Sequence, residues 1–444
     1  GTITTAVFAM EIALITLFIL MESWVYVRRT WNGRLRRFFD YLISTHLLLL
    51  IVWFPFVLWA SQRGQLSILA ANGIGLLLTG GLRYLFSEQW IWTRGLISHQ
   101  RDSFFYDIHG IVGIESAVHI PDLSYFRVVK PPKQIDIHLM IDRHGTPIQT
   151  HDSISYSEGL GRFGFSLSIM PGEITEAIAS PLLEKSPYVL FKNVLEPLLR
   201  WVLVRKGYAL VYGGTLSVDE QAVLIVAGPE IRKAATLLHT LKESGGEFMG
   251  DDIAILGENG RILSFPRLLA IRQHAVQAVD QAQLSLLERL LMRLKRVVYD
   301  ERIRSLGLHL RRMGFPIATL NSYLQRFFPP VKIMMHRLLP NVRYRDEAQL
   351  MQVVYLVEGK AVERPLDPDE LLNLLIANGK KGFGYPPYTH TVKRLSQWRG
   401  EDLTAVEKEI IRSAIQSCTA KQIQRLDNAW WEDIERDMER LAEM

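Results

Sequence analysis

Residues 222–256 read AVLIVAGPEIRKAATLLHTLKESGGEFMGDDIAIL, and the rest of the chain is interpreted from this stretch. The apolar run 222–226 predicts a buried strand, and residues 234–243 predict a helix. A Gly-Asp-Asp sequence ending at Asp252 then precedes a second apolar strand at 253–256. A strand, a turn, a helix and an acidic pair before the next strand are the layout of a phosphate-binding loop with its metal-binding acid. The stretch therefore predicts an α/β fold.

The loop between the strand and the helix lacks the residues that bind phosphate. A working loop reads G-x-x-x-x-G-K-[ST]: its backbone N–H groups close round the phosphates, its lysine meets their oxygens and its hydroxyl ligates magnesium. If Lys233 is that lysine, Ala227 and Arg232 occupy the two glycine positions, and Ala234 occupies the hydroxyl position. A register that begins at Gly228 matches less well, because it places Ala234 at the lysine position. The stretch is therefore either a kinase-like site or the remnant of one.

The size and composition of the chain indicate several modules and contact with lipid. A chain of 444 residues is expected to form about two to four modules. Its hydrophobic content of 48% is high for a soluble protein and favours a membrane-embedded part. The net charge of +5 indicates basic residues beside a membrane, and we expect no nucleic-acid partner. Cys418 is the single cysteine, which excludes an intrachain disulfide and a cysteine-based zinc site.

Three apolar segments predict an N-terminal α-helical membrane domain over residues 1–87. Segments 3–27 and 41–60 are long enough to cross a hydrocarbon core of about 30 Å, and the Gly-rich segment 66–86 is the third predicted span. Five arginines within residues 28–37 place the first connection in the cytoplasm by the positive-inside rule. Three spans then predict an N-terminus outside and a soluble part on the cytoplasmic face. If segment 66–86 does not span, the soluble part lies outside.

Glu11 lies inside the first apolar segment. A carboxylate within a membrane is costly and commonly marks a functional site. Glu11 therefore either acts within the bilayer, in transport or energy coupling, or pairs with a neighbouring helix or a partner subunit. The sequence leaves both roles open.

The soluble part divides into three predicted regions. Residues 88–186 are rich in β-branched residues broken by Pro and Gly, which predicts a β-rich membrane-proximal module in which 135–141 alternates as a strand. Residues 187–344 contain the phosphate-loop layout. Residues 345–444 predict a mixed and then helical C-terminal region that ends in a charged helix over 421–444.

Three further segments have the patterns of regular elements. Residues 190–206 have apolar residues at helical spacing and predict a core helix, and residues 208–217 predict one strand. Residues 281–301 predict a long amphipathic helix with a basic face. That face is either solvated or in contact with anionic lipid or an acidic partner.

The chain follows the order strand, loop position, helix, Gly-Asp-Asp, strand, Gly turn and then the sequence S-F-P-R at 264–267. This order resembles that of the HPr kinase-like P-loop domain. That domain recurs in stand-alone and membrane-attached bacterial relatives of HPr kinase/phosphorylase. The segments PPVK at 329–332 and GYPPY at 384–388 are similar to a group of membrane-associated relatives. The resemblance covers about residues 187–388 and implies an α/β P-loop domain held at a bacterial plasma membrane.

The resemblance implies roles for four residues. Lys233 matches the loop lysine. Asp251 and Asp252 match an acidic pair in which one carboxylate binds magnesium and the other is the base toward the phosphoryl acceptor. In an active enzyme both would be catalytic, and Asp251 would be the magnesium ligand. Tyr212 falls where relatives often carry a histidine at the end of a strand.

Three departures from the family pattern weaken the predicted nucleotide site. Glu230 places a carboxylate beside the expected phosphates, Arg232 adds bulk where backbone must approach closely, and Ala234 removes the magnesium hydroxyl. Each departure is expected to cost about 2 kcal/mol of phosphate or metal binding. Gly228, Arg232 and Lys233 are therefore interpreted as a vestigial nucleotide site, and no cofactor is expected.

These features leave three functional hypotheses. The first is a membrane-anchored pseudokinase, a non-catalytic scaffold that binds membrane lipids and other membrane-protein subunits, such as an active paralogue. The second is an active membrane-bound phosphotransferase that uses ATP and magnesium through Asp251 and Asp252. The third is a transport or energy-coupling subunit in which Glu11 acts within the bilayer.

Overall fold

A computed structural model of the chain forms two compact units, Gly1–Arg101 and Asp102–Met444. The residues that the structure describes are 15–16, 18–19, 34–62, 67–86, 103–142, 153–158, 164–227, 233–270, 316–327, 332–382, 387–426 and 429–442.

Helices form the described part of the first unit. They are α1 (Arg34–Leu48), a π-helical turn (Leu49–Trp53), α2 (Phe54–Gln62) and α3 (Ile68–Phe86). The π-helical turn lies just before Pro55, whose ring has no N–H and displaces the usual hydrogen-bond ladder. Gly75 lets α3 approach this turn, because a Cβ there would lie 2.9 Å from Trp53 Cδ1. Gly73 and Gly80, in the same Gly-rich helix, have open space around them.

Among the described residues, one helical segment is long and apolar enough to cross a membrane. It is Tyr41–Ala60, with 20 residues and a mean hydropathy of 2.1, and it coincides with the predicted second span. The predicted third span forms α3, but its apolar part, Ala70–Gly80, is shorter. The predicted first span and Glu11 lie outside the described residues, apart from four helical residues between 15 and 19.

A seven-stranded sheet occupies the region predicted to be β-rich. Its strands are β1 (Phe104–Ile108), β2 (Val112–Ser116), β3 (Arg127–Val128), β4 (Ile137–Ile141), β5 (Ile154–Ser157), β6 (Ser166–Met170) and β7 (Thr175–Ala179). The strand order is β3-β1-β2-β4-β7-β6-β5, with β2, β4 and β7 parallel to one another. The alternation predicted for 135–141 is confirmed, because Ile137, Leu139 and Ile141 are buried on one face.

The remaining strands of the second unit are β8 (Ala209–Tyr212), β9 (Gly214–Val218), β10 (Gln221–Ala227), β11 (Glu247–Gly250), β12 (Ile253–Leu256), β13 (Arg261–Leu263), β14 (Leu269–Ala270), β15 (Lys332–Ile333), β16 (Arg343–Tyr344), β17 (Glu347–Glu358), β18 (Val362–Pro365), β19 (Gln397–Trp398), β20 (Glu401–Asp402) and β21 (Thr419–Arg425). Ten of them form one mixed sheet in the order β16-β11-β9-β10-β17-β13-β12-β8, with β21 beside β17 and β18 beside β21. Strands β17 and β21 follow the predicted boundary at residue 345, yet they belong to the same sheet as β8–β13. The chain is therefore of the mixed α/β class.

Helices cover both faces of this sheet. In the second unit they are α4 (Pro181–Glu184), α5 (Pro187–Leu190), a π-helical turn (Phe191–Leu195), α6 (Glu196–Arg205), α7 (Lys233–Ser244), α8 (Ile317–Phe327), α9 (Met335–Leu338), α10 (Pro368–Gly382), α11 (Tyr388–Leu395), α12 (Leu403–Ile415) and α13 (Trp430–Ala442). Two 3₁₀ turns, Pro121–Phe126 and Glu258–Gly260, also lie among the described residues of this unit.

The stretch 222–256 folds as its pattern predicts. Residues 222–227 of strand β10 are all apolar because both faces of the strand are buried: Leu224 packs into one hydrophobic cluster and Val223 into the other. Helix α7 packs over the second cluster through Leu237 and Leu241. On that face α13 adds side chains at a helical spacing of four residues, namely Trp430, Ile434 and Met438.

Two predicted elements differ from the structure. Residues 208–217 form two strands, β8 and β9, because the chain breaks at Gly213, where a Cβ would lie 2.5 Å from Leu224 Cδ1. Residues 421–425 form part of strand β21 instead of the predicted charged helix, which begins only at Trp430. In β21 both edges of the backbone are paired, parallel to β17 and antiparallel to β18, and this pairing outweighs the polar composition.

Candidate functional site

The Gly-Asp-Asp sequence forms a tight junction between β11 and β12. A Cβ at Gly250 would lie 2.7 Å from the carbonyl oxygen of Ile253, so only glycine fits there. The N–H of Gly213 donates to the carbonyl oxygen of Asp252 at 3.0 Å. This hydrogen bond from Gly213, at the break between β8 and β9, holds the junction and positions both carboxylates beside the start of α7.

The structure brings together Lys233 and Asp252, two of the predicted site residues. Lys233 is the first residue of α7, and its Nζ donates to Asp252 Oδ1 at 3.2 Å. We call these two residues the outer pair, because the Asp252 side chain is 48% exposed. Burial raises the pKa of the Asp252 carboxyl, but the charges of Lys233 and Arg267 outweigh burial and leave this pKa below its ordinary value.

Asp251 has a different environment from its neighbour. The residue is 4% exposed, and its Oδ1 has no hydrogen-bond partner among the described residues. Burial, and then the charge of Asp252, raise the pKa of the Asp251 carboxyl to about 7. The two adjacent aspartates therefore differ in ionisation: Asp252 holds a negative charge, and Asp251 exchanges a proton near neutral pH.

Behind this pair lies a group of buried charges that sequence reasoning did not identify as a site. Arg267 is 8% exposed, and its guanidinium bridges Asp122 Oδ1 and Glu196 Oε2, each at 3.3 Å. Lys332 Nζ donates to both oxygens of Asp122, at 2.6 and 2.8 Å. We call Asp122, Glu196, Arg267 and Lys332 the inner group. Its two carboxylates are fully buried, so their charges depend on these cations.

Lys192 and Tyr212 complete the surroundings of Glu196. Lys192 Nζ lies 2.5 Å from Glu196 Oε1 and donates to the hydroxyl of Tyr212 at 3.0 Å. The Tyr212 hydroxyl in turn donates to Glu196. Burial, followed by the charge of Glu196, raises the pKa of Tyr212 well above its ordinary value. Tyr212, which stands where relatives often carry a histidine, is therefore a neutral hydrogen-bond donor in this structure.

The inner group, the outer pair, Lys192 and Asp251 together form the charged cluster. It contains four carboxylates, of Asp122, Glu196, Asp251 and Asp252, and four cations, of Lys192, Lys233, Arg267 and Lys332. Every one of the four cations has a carboxylate partner within 3.3 Å. The cluster has no excess positive charge when all eight groups are ionised.

Local sequence features place the inner group. Arg267 ends the S-F-P-R sequence, and Lys332 ends PPVK, so the two motifs that carried the resemblance supply the two buried cations. Glu196 follows the π-helical turn Phe191–Leu195, which precedes Pro197. Asp122 lies in the 3₁₀ turn Pro121–Phe126, in the region predicted as a separate β-rich module. That module therefore contributes directly to the cluster.

The other predicted site residues lie elsewhere. Gly228, Arg232 and Glu11 are outside the described residues. Ala227 is the last residue of β10, and Ala234 lies in the first turn of α7, so the hydroxyl position carries a methyl group beside Lys233. Within the described ranges no group of three or more His, Cys, Asp or Glu side chains could hold a metal.

No protein-family model matches the chain, and no curated protein sequence is significantly similar to it. The functional interpretation depends on the charged cluster and on the helical segment Tyr41–Ala60.

Proposed function

We propose that this protein is a membrane-anchored pseudokinase, a kinase-like fold without nucleotide chemistry that serves as a scaffold subunit of a bacterial membrane complex. The anchor is Tyr41–Ala60 together with the apolar segments around it. On this proposal segments 3–27 and 66–86 also cross the membrane, as the sequence predicts, so the soluble unit lies on the cytoplasmic face of the plasma membrane and presents its surface to partner subunits. Membrane lipids and other membrane proteins are its expected partners.

The observation that carries this proposal is the internal pairing of the cations in the charged cluster. Lys233, the loop lysine, is bound to Asp252 instead of facing an open anion site. Arg267 and Lys332 are bound to Asp122 and Glu196 in a buried setting. A nucleotide phosphate would have to displace a carboxylate from one of these cations, and a buried carboxylate left without its partner is costly. Each cation of the cluster already has a carboxylate partner.

Nucleotide titration of the detergent-solubilised full chain tests the proposal. Calorimetry with ATP or GTP and magnesium is expected to show no saturable heat. Saturable binding at nanomolar to micromolar concentration would overturn the proposal. The scaffold role further predicts that a partner subunit co-purifies with the solubilised chain.

A loop-restored variant provides the matched control for this titration. The substitutions Ala227→Gly, Arg232→Gly and Ala234→Thr recreate the glycines and the hydroxyl around Lys233. This variant is expected to gain ATP binding by at least tenfold over the parent, since it supplies the two missing glycines and the missing hydroxyl. If the variant binds no better than the parent, the stretch is not a degenerate phosphate loop.

A second function is favoured by Asp251. A buried carboxyl with a pKa of about 7 and an unpaired oxygen has the properties of a general base toward a phosphoryl acceptor. In that case the protein is an active phosphotransferase: ATP would donate its γ-phosphoryl group to the acceptor and leave as ADP, magnesium would neutralise the phosphate charge, and Lys233 would position the phosphates. Transfer of radiolabel from ATP that disappears in Asp251→Asn would support this alternative. Absence of both transfer and bound nucleotide would reject it.

A further inference from the structure

A basic loop projects from one end of the seven-stranded sheet. We define it as residues 127–134, RVVKPPKQ, which contain three cations and no acidic residue. Val129 at its tip is 97% exposed, the highest value among the large apolar side chains that the structure describes. Lys130 and Lys133 flank it and are also exposed. Isolated apolar side chains on a surface are common, but one this exposed between cations suggests a specific environment.

The base of the basic loop is held firmly. At one end Val128 pairs with Phe105 in the β3–β1 ladder. At the other end the N–H of Gly113 donates to Asp136 Oδ2 at 2.9 Å, and Lys206 Nζ lies 2.7 Å from Asp136 Oδ1. A Cβ at Gly113 would lie 2.9 Å from Pro132 Cβ, so the loop packs directly on this glycine. Val129 is therefore exposed on a loop whose two ends are fixed and which contains two prolines. Such a loop loses little conformational entropy when it binds a partner.

The strand register places the basic loop at the end of the seven-stranded sheet where β1 begins. Because β3 is antiparallel to β1 and Val128 pairs with Phe105, Val129 leaves the sheet at the end where β1 begins. Strand β1 begins at Phe104, three residues after the end of the first unit at Arg101. The Arg127 guanidinium lies 5.3 Å from the centre of the Phe104 ring, which keeps this cation at the same end. The loop is therefore at the end of the sheet that holds the first residue of β1, which is close in sequence to the end of the first unit.

We infer that the basic loop is a lipid-contact site, in which Lys130 and Lys133 bind the headgroups of anionic lipids and Val129 inserts between them. Cations near an anionic membrane surface are attracted to it, and a small apolar side chain adds favourable burial in the interface. The contact fixes the orientation of the soluble unit at the membrane. This inference rests on the membrane anchoring proposed above and goes beyond it by naming the surface and its ligand.

A fluorescence experiment on the full chain in nanodiscs tests the lipid contact. An environment-sensitive dye is attached at Val129→Cys in a Cys418→Ser background, and the lipids carry a headgroup quencher. Serine at position 418 can retain the weak hydrogen bond from the side chain to the carbonyl oxygen of Ile415. The matched control places the dye at Val362→Cys, an exposed position of similar chemistry in β18. Nanodiscs of phosphatidylcholine alone are compared with nanodiscs that also contain phosphatidylglycerol.

We expect several-fold stronger quenching at position 129 than at 362, in the anionic nanodiscs only. The charge reversal Lys130→Glu with Lys133→Glu, and high salt, are both expected to abolish the difference. Equal quenching at the two positions, or quenching at 129 that is the same in neutral lipid and in the charge-reversed variant, would overturn the inference. A chain that does not remain in nanodiscs would overturn the membrane anchoring itself, and the inference with it.

Discussion

The inner group and the outer pair of the charged cluster are made of the same kinds of side chain, but they differ in contact with water. In the inner group Asp122 and Glu196 are fully buried and share the guanidinium of Arg267. In the outer pair the Asp252 side chain is about half exposed, and its ion-pair partner among the described residues is Lys233. A buried charge depends on its partner, because water cannot replace that partner, whereas an exposed charge is screened and solvated.

This difference indicates which part of the cluster is structural. The inner group joins the 3₁₀ turn at Asp122, the helix that begins at Glu196 and the segments around Arg267 and Lys332. Removing one charge there leaves another uncompensated inside the protein. The outer pair lies at the start of α7, where a phosphate would bind in a working kinase, and its charges can be exchanged at little cost. Stability should therefore depend on the inner group, and nucleotide chemistry, if there is any, on the outer pair.

The largest expected effect on stability is that of Arg267→Met, which removes the guanidinium from the inner group. The substitution keeps an unbranched side chain but leaves Asp122 with Lys332 alone and deprives Glu196 of one cation. We expect the free energy of unfolding to fall by about 3–5 kcal/mol. Chemical denaturation of the full chain in mild detergent, followed by tryptophan fluorescence, measures the change.

Arg261→Met is the matched control for this substitution. Arg261 also forms two hydrogen bonds to one carboxylate, that of Glu347, but the side chains of this pair are 45% and 50% exposed. We expect a loss of no more than about 1 kcal/mol. If Arg261→Met and Arg267→Met destabilise the protein equally, burial does not distinguish the two pairs and the assignment of the inner group is wrong.

The second expected effect is a pH dependence that comes from Asp251. Its pKa rises from 3.8 to about 7 on folding, so the folded chain holds a proton that the unfolded chain releases across this range. Stability from this group is therefore fully present below about pH 4 and is lost as the pH rises to about 7. Asp251→Asn cannot release a proton, and we expect it to gain on the order of 2–4 kcal/mol relative to the parent over that range. Denaturation at a series of pH values gives the difference.

Asp252→Asn should give the opposite sign in the same series. Because the pKa of Asp252 is lowered on folding, its contribution is present above pH 3.8 and is lost only as the pH falls below that value. The parent should therefore lose stability relative to Asp252→Asn in acid. Because the charge of Asp252 raises the pKa of Asp251, the loss of stability that comes from Asp251 should begin at lower pH in Asp252→Asn than in the parent. A change near neutral pH in Asp252→Asn, with none in Asp251→Asn, would show that the roles of the two aspartates are reversed.

The sequence predicted the part of the site that is local in the chain. The apolar run before Ala227, the helix after Lys233 and the Gly-Asp-Asp turn are each encoded in a few consecutive residues, and the structure has all three. Their layout and the resemblance marked Lys233, Asp251 and Asp252 as candidate site residues, and the structure places Lys233 Nζ 3.2 Å from Asp252 Oδ1. Which aspartate is buried did not follow from the sequence, because it depends on how β11 and β12 pack.

The inner group could not be predicted in the same way, because its members come from distant segments. Asp122 and Glu196 carry no local signal for burial, and Glu196 lies in what the apolar spacing predicted to be a core helix. The motifs that end at Arg267 and Lys332 marked the two cations without indicating a partner for either. Strand β21 shows the same limit, since its pairing with β17 and β18 forms a strand that composition alone does not favour.

The smallest expected effect on stability is that of Lys233→Met, which removes a charge from the outer pair instead of the inner group. Because Asp252 is half exposed, water can solvate its carboxylate once the lysine is gone, and we expect a loss of stability of no more than about 1 kcal/mol. The charge of Lys233 lowers the pKa of Asp251. Without the lysine that pKa should rise, so the pH at which Asp251 ionises and destabilises the fold should be higher in Lys233→Met than in the parent.

Lys233→Met should also leave nucleotide titrations of the full chain unchanged, since a pseudokinase has no nucleotide affinity to lose. A destabilisation as large as that of Arg267→Met would make the outer pair structural. A fall in nucleotide binding would instead show that the lysine still holds a phosphate and that the protein is an active kinase.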